Sequence, residues 1–141
     1  MFGNDVPDKK KLWERLAFYN FVQRVMDYRI QERPTLQDFD HGWEVFVEVV
    51  KDLKPTDVIF IGVEAAKSFE RMMDKLGLKR SDRILHEKIG DVGPRSAFIE
   101  IDGHKTEISF VKHSSAMFSP AAWHSFLNSR HGDAIHFLQK I

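Results

Sequence analysis

Apolar residues recur at helical spacing in two places in the first third of the chain. Leu12, Leu16, Tyr19 and Met26 step along one face between Lys9 and about Met26, which predicts a helix. Within it, Ala17 to Gln23 (Ala-Phe-Tyr-Asn-Phe-Val-Gln) is crowded with aromatic and branched residues and suits an extended segment equally well. Glu32-Arg33-Pro34 breaks the pattern, and Thr35 with Asp38 three residues on has the form of a capping box. Phe39, Trp43, Phe46, Val50 and Leu53 then fall on one face of an amphipathic helix that Pro55 ends.

The period changes after Pro55. Asp57-Val58-Ile59-Phe60-Ile61-Gly62 is a short continuous apolar run closed by glycine, the mark of a strand buried on both faces in a parallel sheet. Glu64 to Leu76 reads as a helix, with Gly77 where a left-handed cap belongs. Lys79 to Pro94 is polar and broken by Gly90, Gly93 and Pro94, which predicts a long loop. Ser96–Ile101 and Lys105–Lys112 flank Asp102-Gly103, a strong hairpin signal. A loop from His113 to Pro120 leads to helices over about Pro120 to Asn128 and Gly132 to Lys140. Helix, strand, helix, hairpin and helix make a layered α/β domain, a single one over residues 1–141.

Composition narrows the class. With 141 residues, 43% of them hydrophobic, the chain supports one core. Lys plus Arg and Asp plus Glu are 21 each, which argues against a bulk electrostatic nucleic-acid coat or a polybasic membrane binder and leaves room for a local basic groove. The absence of cysteine removes disulfides, thiolate zinc sites and thiol nucleophiles together. Apolar runs are a few residues long, far short of the ~20 that span a bilayer. The opening Met-Phe-Gly-Asn-Asp-Val-Pro lacks the apolar core of a signal peptide, so a cytoplasmic protein without membrane contact is expected.

Four features carry candidate chemistry. Asn20 is polar within Phe18-Tyr19-Asn20-Phe21; its amide either bridges backbone or offers an acceptor beside two donors, the pattern that reads a nucleobase edge. Gly62 closes a strand at a strand-to-helix turn, the place where open α/β sheets hold ligands, although one glycine is equally a plain turn. Lys112-His113-Ser114-Ser115 leaves the second hairpin strand and shares an edge with Gly62 if the two strands run parallel. A histidine there can donate to a developing anion, and the serines and nearby amides can hold a phosphate. Five of the seven histidines (104, 113, 124, 131 and 136) lie in the last 38 residues without metal-ligand spacing; they are expected at the surface or at helix ends, with no metal and no cofactor.

Taken in order, these pieces resemble the uracil-DNA glycosylase superfamily. The resemblance runs through Phe18-Tyr19-Asn20-Phe21-Val22-Gln23, Arg33-Pro34-Thr35, the helix to Leu53-Lys54-Pro55, Val58 to Gly62, Ala65-Ala66 and His113-Ser114-Ser115, roughly residues 12–129. It implies a three-layer α/β/α sandwich around a short, partly parallel sheet. It also implies hydrolytic excision of a flipped, damaged base from DNA. Asn20 then matches the residue that bonds the pyrimidine edge and His113 the one that stabilises the departing base, with Tyr19, Gly62, Ser114 and Ser115 as substrate contacts. Two departures stand out: Ser114 replaces the usual proline, and the family's first, water-positioning motif has no counterpart before Asn20. The expected partners are damaged DNA and either a second copy or a missing N-terminal segment covering an exposed sheet edge. The alternative is an inactive remnant of that fold that binds a nucleotide, DNA or protein.

Overall fold

A computed structural model describes residues 7–112 and 119–141. The first element among the described residues is a short helix, α1 (Lys9–Trp13), whose first turn is capped by Asp8 accepting from the Lys11 amide at 3.0 Å. The helix predicted as far as Met26 stops there. Residues 14–27 are irregular and lead to a 3-10 turn at Tyr28–Ile30. Tertiary packing overrides helical spacing at this point. The Phe21 ring leaves its own segment to meet Trp43 at 5.0 Å and Phe60 at 4.8 Å, both edge to face.

The capping box at Thr35 forms as predicted and starts α2 (Leu36–Leu53). The Thr35 hydroxyl accepts from the Asp38 amide at 3.3 Å, and the Asp38 carboxylate accepts from the Thr35 amide at 2.7 Å. Trp43, Phe46 and Val50 are buried along one face, and Lys54, in the left-handed region, closes the helix before Pro55. β1 (Asp57–Ile61) follows, then a 3-10 turn at Ala65–Ser68 that runs into α3 (Phe69–Lys75) and ends at Gly77 with φ +70°.

The predicted loop over 79–94 contributes two strands, β2 (Lys79–Arg80) and β3 (Ile84–Leu85), which are too short to leave a period in the sequence. Both pair antiparallel with β4 (Arg95–Ile101) on the side away from β5 (His104–Val111). Asp102 (φ +51°) and Gly103 (φ +79°) make the expected two-residue hairpin turn between them. The sheet order is β1-β5-β4-β2, with β1 parallel to β5 as its apolar run predicts. β1 nevertheless lies at the sheet edge and is not sealed on both faces: Phe60 is buried while Ile61 is 49% exposed.

Helices cover both faces of this open α/β sheet. On one face Phe60, Ala97, Ile99, Ile108 and Phe110 pack with Trp43, Phe69, Met72 and Met73 of α2 and α3. Trp43 is fully buried, stacks on Phe60 at 5.0 Å and donates its indole N–H to the Ala65 carbonyl at 2.9 Å. On the other face Ile59 and Val111 meet Trp123, Leu127 and Ile135 of α4 (Pro120–Gln139). The two predicted C-terminal helices are the two halves of α4, joined at His131, whose backbone is non-helical (φ −128°, ψ 27°).

Gly42 makes the Phe21 contact possible. A Cβ at that position would lie 2.5 Å from the Phe21 ring. Gly42→Ala is therefore expected to expel the ring and lower stability by about 1–3 kcal/mol in urea unfolding. In a Phe21→Ala background the same change should cost far less, because the clash is gone. Equal costs in the two backgrounds would show that the slot is not what holds the segment.

Candidate functional site

The carboxyl ends of β1 and β5 lie side by side. The Gly62 amide donates to the Val111 carbonyl at 2.9 Å, and Gly62 takes φ +120°, a conformation open to glycine at little cost. The condition for Gly62 and the Lys112 segment to share one edge, parallel strands, is met. His113, Ser114 and Ser115 themselves lie outside the described residues.

Two anchors bring the Tyr19–Asn20 segment toward that edge. Phe21 is the first, resting on Phe60 two residues before Gly62. Arg24 is the second: its Nε and Nη2 donate to the two Asp38 oxygens at 2.6 and 2.8 Å, and its Nη1 donates to Glu32 at 2.6 Å. The fork ties the irregular segment to the first turn of α2 with bidentate geometry. It also holds the Asp38 carboxyl well below the usual carboxylate range, with help from the Thr35 amide. Glu32 is likewise lowered, first by the Asp27 amide and then by Arg24. The Arg33-Pro34-Thr35 run divides its roles: Thr35 caps α2, while Arg33 is exposed and forms no ion pair among the described residues.

Between these anchors the candidate residues face outward. Asn20 is exposed, not enclosed among its aromatic neighbours. Its backbone carbonyl accepts from Gln23 Nε2, and its side-chain amide has no hydrogen-bond partner among the described residues. The backbone-bridging alternative for Asn20 thus finds no contact here. Tyr19 is 38% exposed, and the desolvation of its packed part pushes its phenol up to about 12, so the hydroxyl stays a neutral donor across the physiological range. A shallow cleft of about 260 Å³ opens at the start of α2 and the turn after Gly62, lined by Leu36, Phe39, Glu64, Lys67, Ser68 and Arg71. Its two cations are engaged, Lys67 with Glu64 and Arg71 with Asp40.

The histidines require a correction. His131 is neither at the surface nor at a helix end; it is 3% exposed, at the bend of α4. Its Nδ1 lies 2.7 Å from Asp57 Oδ1 on β1 and its Nε2 lies 2.7 Å from Ser109 Oγ on β5. The connectivity is that of a charge relay, carboxylate to imidazole to hydroxyl. Ser109 is 1% exposed in mid-strand, however, beneath α4. The set therefore works as a polar clamp between α4 and the parallel strand pair. A second His–Ser pair continues the row: His86 Nε2 is 2.6 Å from Ser96 Oγ, and Ser96 faces Ser109 across β4 and β5. Burial lowers the His86 pKa, with the Arg130 charge adding to it, which favours the neutral imidazole. One signal for the clamp was present in the sequence: His131 interrupts an apolar stripe of Trp123, Leu127, Ile135 and Leu138. Among the described residues, no group of three or more His, Asp or Glu could hold a metal ion.

Comparison with known proteins returns no matching family model, no matching curated protein and no matching solved structure.

Three measurements test this arrangement. His131→Ala is expected to cost about 2–4 kcal/mol and Ser109→Ala about 1–3 kcal/mol, with the double variant losing less than the sum. A serine-directed phosphonate should leave Ser109 unlabelled in the folded protein; labelling would make it a nucleophile. The Tyr19 phenol should ionise with a midpoint of about 12 by ultraviolet absorbance, a step that Tyr19→Phe removes. Its contribution to stability is complete below the unfolded value of about 10 and is lost as pH rises through about 12.

Proposed function

We propose that this chain is a uracil-DNA-glycosylase-like domain that recognises a flipped, damaged base in DNA and excises it hydrolytically. The observation that carries the proposal is the exposed amide of Asn20, without a hydrogen-bond partner among the described residues and next to Phe21, whose ring rests on Phe60 near the carboxyl end of a parallel strand pair. The crevice beyond such strand ends is the usual ligand site of open α/β sheets. A carboxamide presents its C=O beside its NH2, which matches the N–H and one adjoining carbonyl of a pyrimidine edge. A layer of helices on each face of a short sheet also agrees with the sandwich expected of this family, although three of the four strand pairings here are antiparallel.

In the proposed reaction, water adds to the anomeric carbon as the bond from that carbon to the base nitrogen breaks. The sugar gains a hydroxyl, and the base leaves as an anion that then takes a proton. His113 is assigned the donor that meets this negative charge, Tyr19 and Gly62 the walls of the base site, and Ser114 and Ser115 the grip on the backbone. Stabilising charge where it develops is what lowers such a barrier. A second reading, a binding module that holds the base without cleaving it, draws on the overall neutral charge of the chain.

The test is release of uracil from single- and double-stranded oligonucleotides, read as strand scission at the abasic site. Asn20→Ala and His113→Ala should each reduce release at least tenfold, about 1.4 kcal/mol or more of lost transition-state stabilisation. Tight binding of the damaged strand without release would establish the second reading. Release unchanged in Asn20→Ala would remove Asn20 from the site.

A further inference from the structure

The five residues of α1 bury nothing completely. Its Trp13 is 60% exposed and stands edge-on to Phe18, which is 70% exposed, at 6.2 Å. The chain has three tryptophans, and the other two, Trp43 and Trp123, are buried in the cores on either side of the sheet. Two large aromatic rings held in water contribute little to folding, so their exposure calls for a ligand. The charge around them is mainly positive. Lys9, Lys10, Lys11 and Arg15 are exposed and unpaired among the described residues, against two carboxylates, Glu14 and the capping Asp8, whose oxygen is taken up by the Lys11 amide. Elsewhere Arg24, Arg71, Arg80 and Arg83 are all held by carboxylates.

We infer that α1 and the residues to Phe18 form a binding surface for single-stranded nucleic acid. Trp13 and Phe18 stack on bases while Lys9, Lys10, Lys11 and Arg15 follow the phosphates. Cations interleaved with exposed aromatic rings are the chemistry that holds single strands without reading their sequence. A duplex keeps its base faces stacked and presents none to the rings. A membrane surface would ask for a continuous apolar face on a longer helix, which five residues do not supply. The surface is continuous in sequence with the candidate site, since Tyr19, Asn20 and the anchoring ring of Phe21 follow Phe18 directly. It deepens the reading proposed above by placing a strand grip next to the base site, yet it depends on neither Asn20 nor His113.

The experiment titrates the full chain with undamaged oligo-dT and oligo-rU, following tryptophan emission. Because Trp43 and Trp123 are buried, the red-shifted, exposed component belongs to Trp13. Saturable quenching of that component is expected with single strands, with little from a duplex of the same length; the two oligomers distinguish DNA from RNA as the source. If four phosphates are neutralised, affinity should fall about fifty-fold between about 50 and about 200 mM salt. Changing Lys9, Lys10 and Lys11 together to Ala should remove most of that salt dependence. Trp13→Ala and Phe18→Ala, read by anisotropy of a labelled oligonucleotide, should each weaken binding about tenfold with unchanged unfolding midpoints. No quenching by any strand would overturn the inference. So would equal binding of duplex, or a blue shift of Trp13 emission on vesicles of anionic phospholipid without a response to oligonucleotide. Undamaged strands keep this outcome separate from base release: binding without excision, or excision without this surface, tells the two apart.

Discussion

The slot over Gly42 governs how this chain is put together. A helix residue without a side chain leaves space for the Phe21 ring, and the ring fills it between Trp43 and Phe60. One aromatic group thereby joins three parts of the chain that share no backbone pairing: the irregular segment after α1, the long helix α2 and the edge strand β1. The Arg24 fork on Asp38 adds direction to that anchor, because a bidentate pair fixes orientation where a ring contact fixes position. Tyr19 and Asn20 inherit their place from these two contacts. Their own side chains remain available for something else.

The two faces of the sheet are built on different physics. The α2/α3 face is an aromatic and aliphatic core centred on Trp43, in which the one indole N–H is satisfied by the Ala65 carbonyl. The α4 face has a smaller apolar cluster and a row of polar contacts, Asp57–His131–Ser109 and Ser96–His86. Buried polar groups of this kind rarely add more stability than a well-packed leucine, but they admit one geometry where leucine admits many. His131 bonds to β1 and β5 at once, so it fixes α4 across the parallel pair at the point where its helix bends. The segment between β5 and α4 begins and ends on elements whose separation this clamp sets.

Much of this architecture was legible in the sequence. Thr35 with Asp38, the face of Trp43, Phe46 and Val50, the apolar run of β1 and the turn at Asp102-Gly103 are local signals, and each produced the expected element. The failures have a common cause, since each was decided by a partner distant in sequence. Phe21 ended a helical pattern because its ring found Trp43 and Phe60. β2 and β3 exist because β4 offers them an edge. His131 is buried because Asp57, 74 residues earlier, lies within reach. At the candidate site the sequence offered Tyr19, Asn20 and Gly62 as candidates and made a shared edge for Gly62 and the Lys112 segment conditional on parallel strands, a condition that β1 and β5 meet. It held no sign of the Arg24 anchor or of Asn20 facing solvent.

Charge makes the same point at the scale of the whole molecule. An equal count of acidic and basic residues invites the conclusion that no surface favours an anion. That holds only if the charges are mixed in space, and here they are not. Many cations of the folded body are neutralised by pairing: Arg24, Arg71, Arg80, Arg83, Lys51, Lys67, Lys79 and Lys105 each face a carboxylate. The acids used in those pairs are not free to oppose an incoming phosphate. The cations of α1, unpaired among the described residues, adjoin the exposed rings of Trp13 and Phe18 in the chain. A chain with zero net charge therefore carries a local excess of cations, four against Asp8 and Glu14, on the segment that runs into Tyr19 and Asn20.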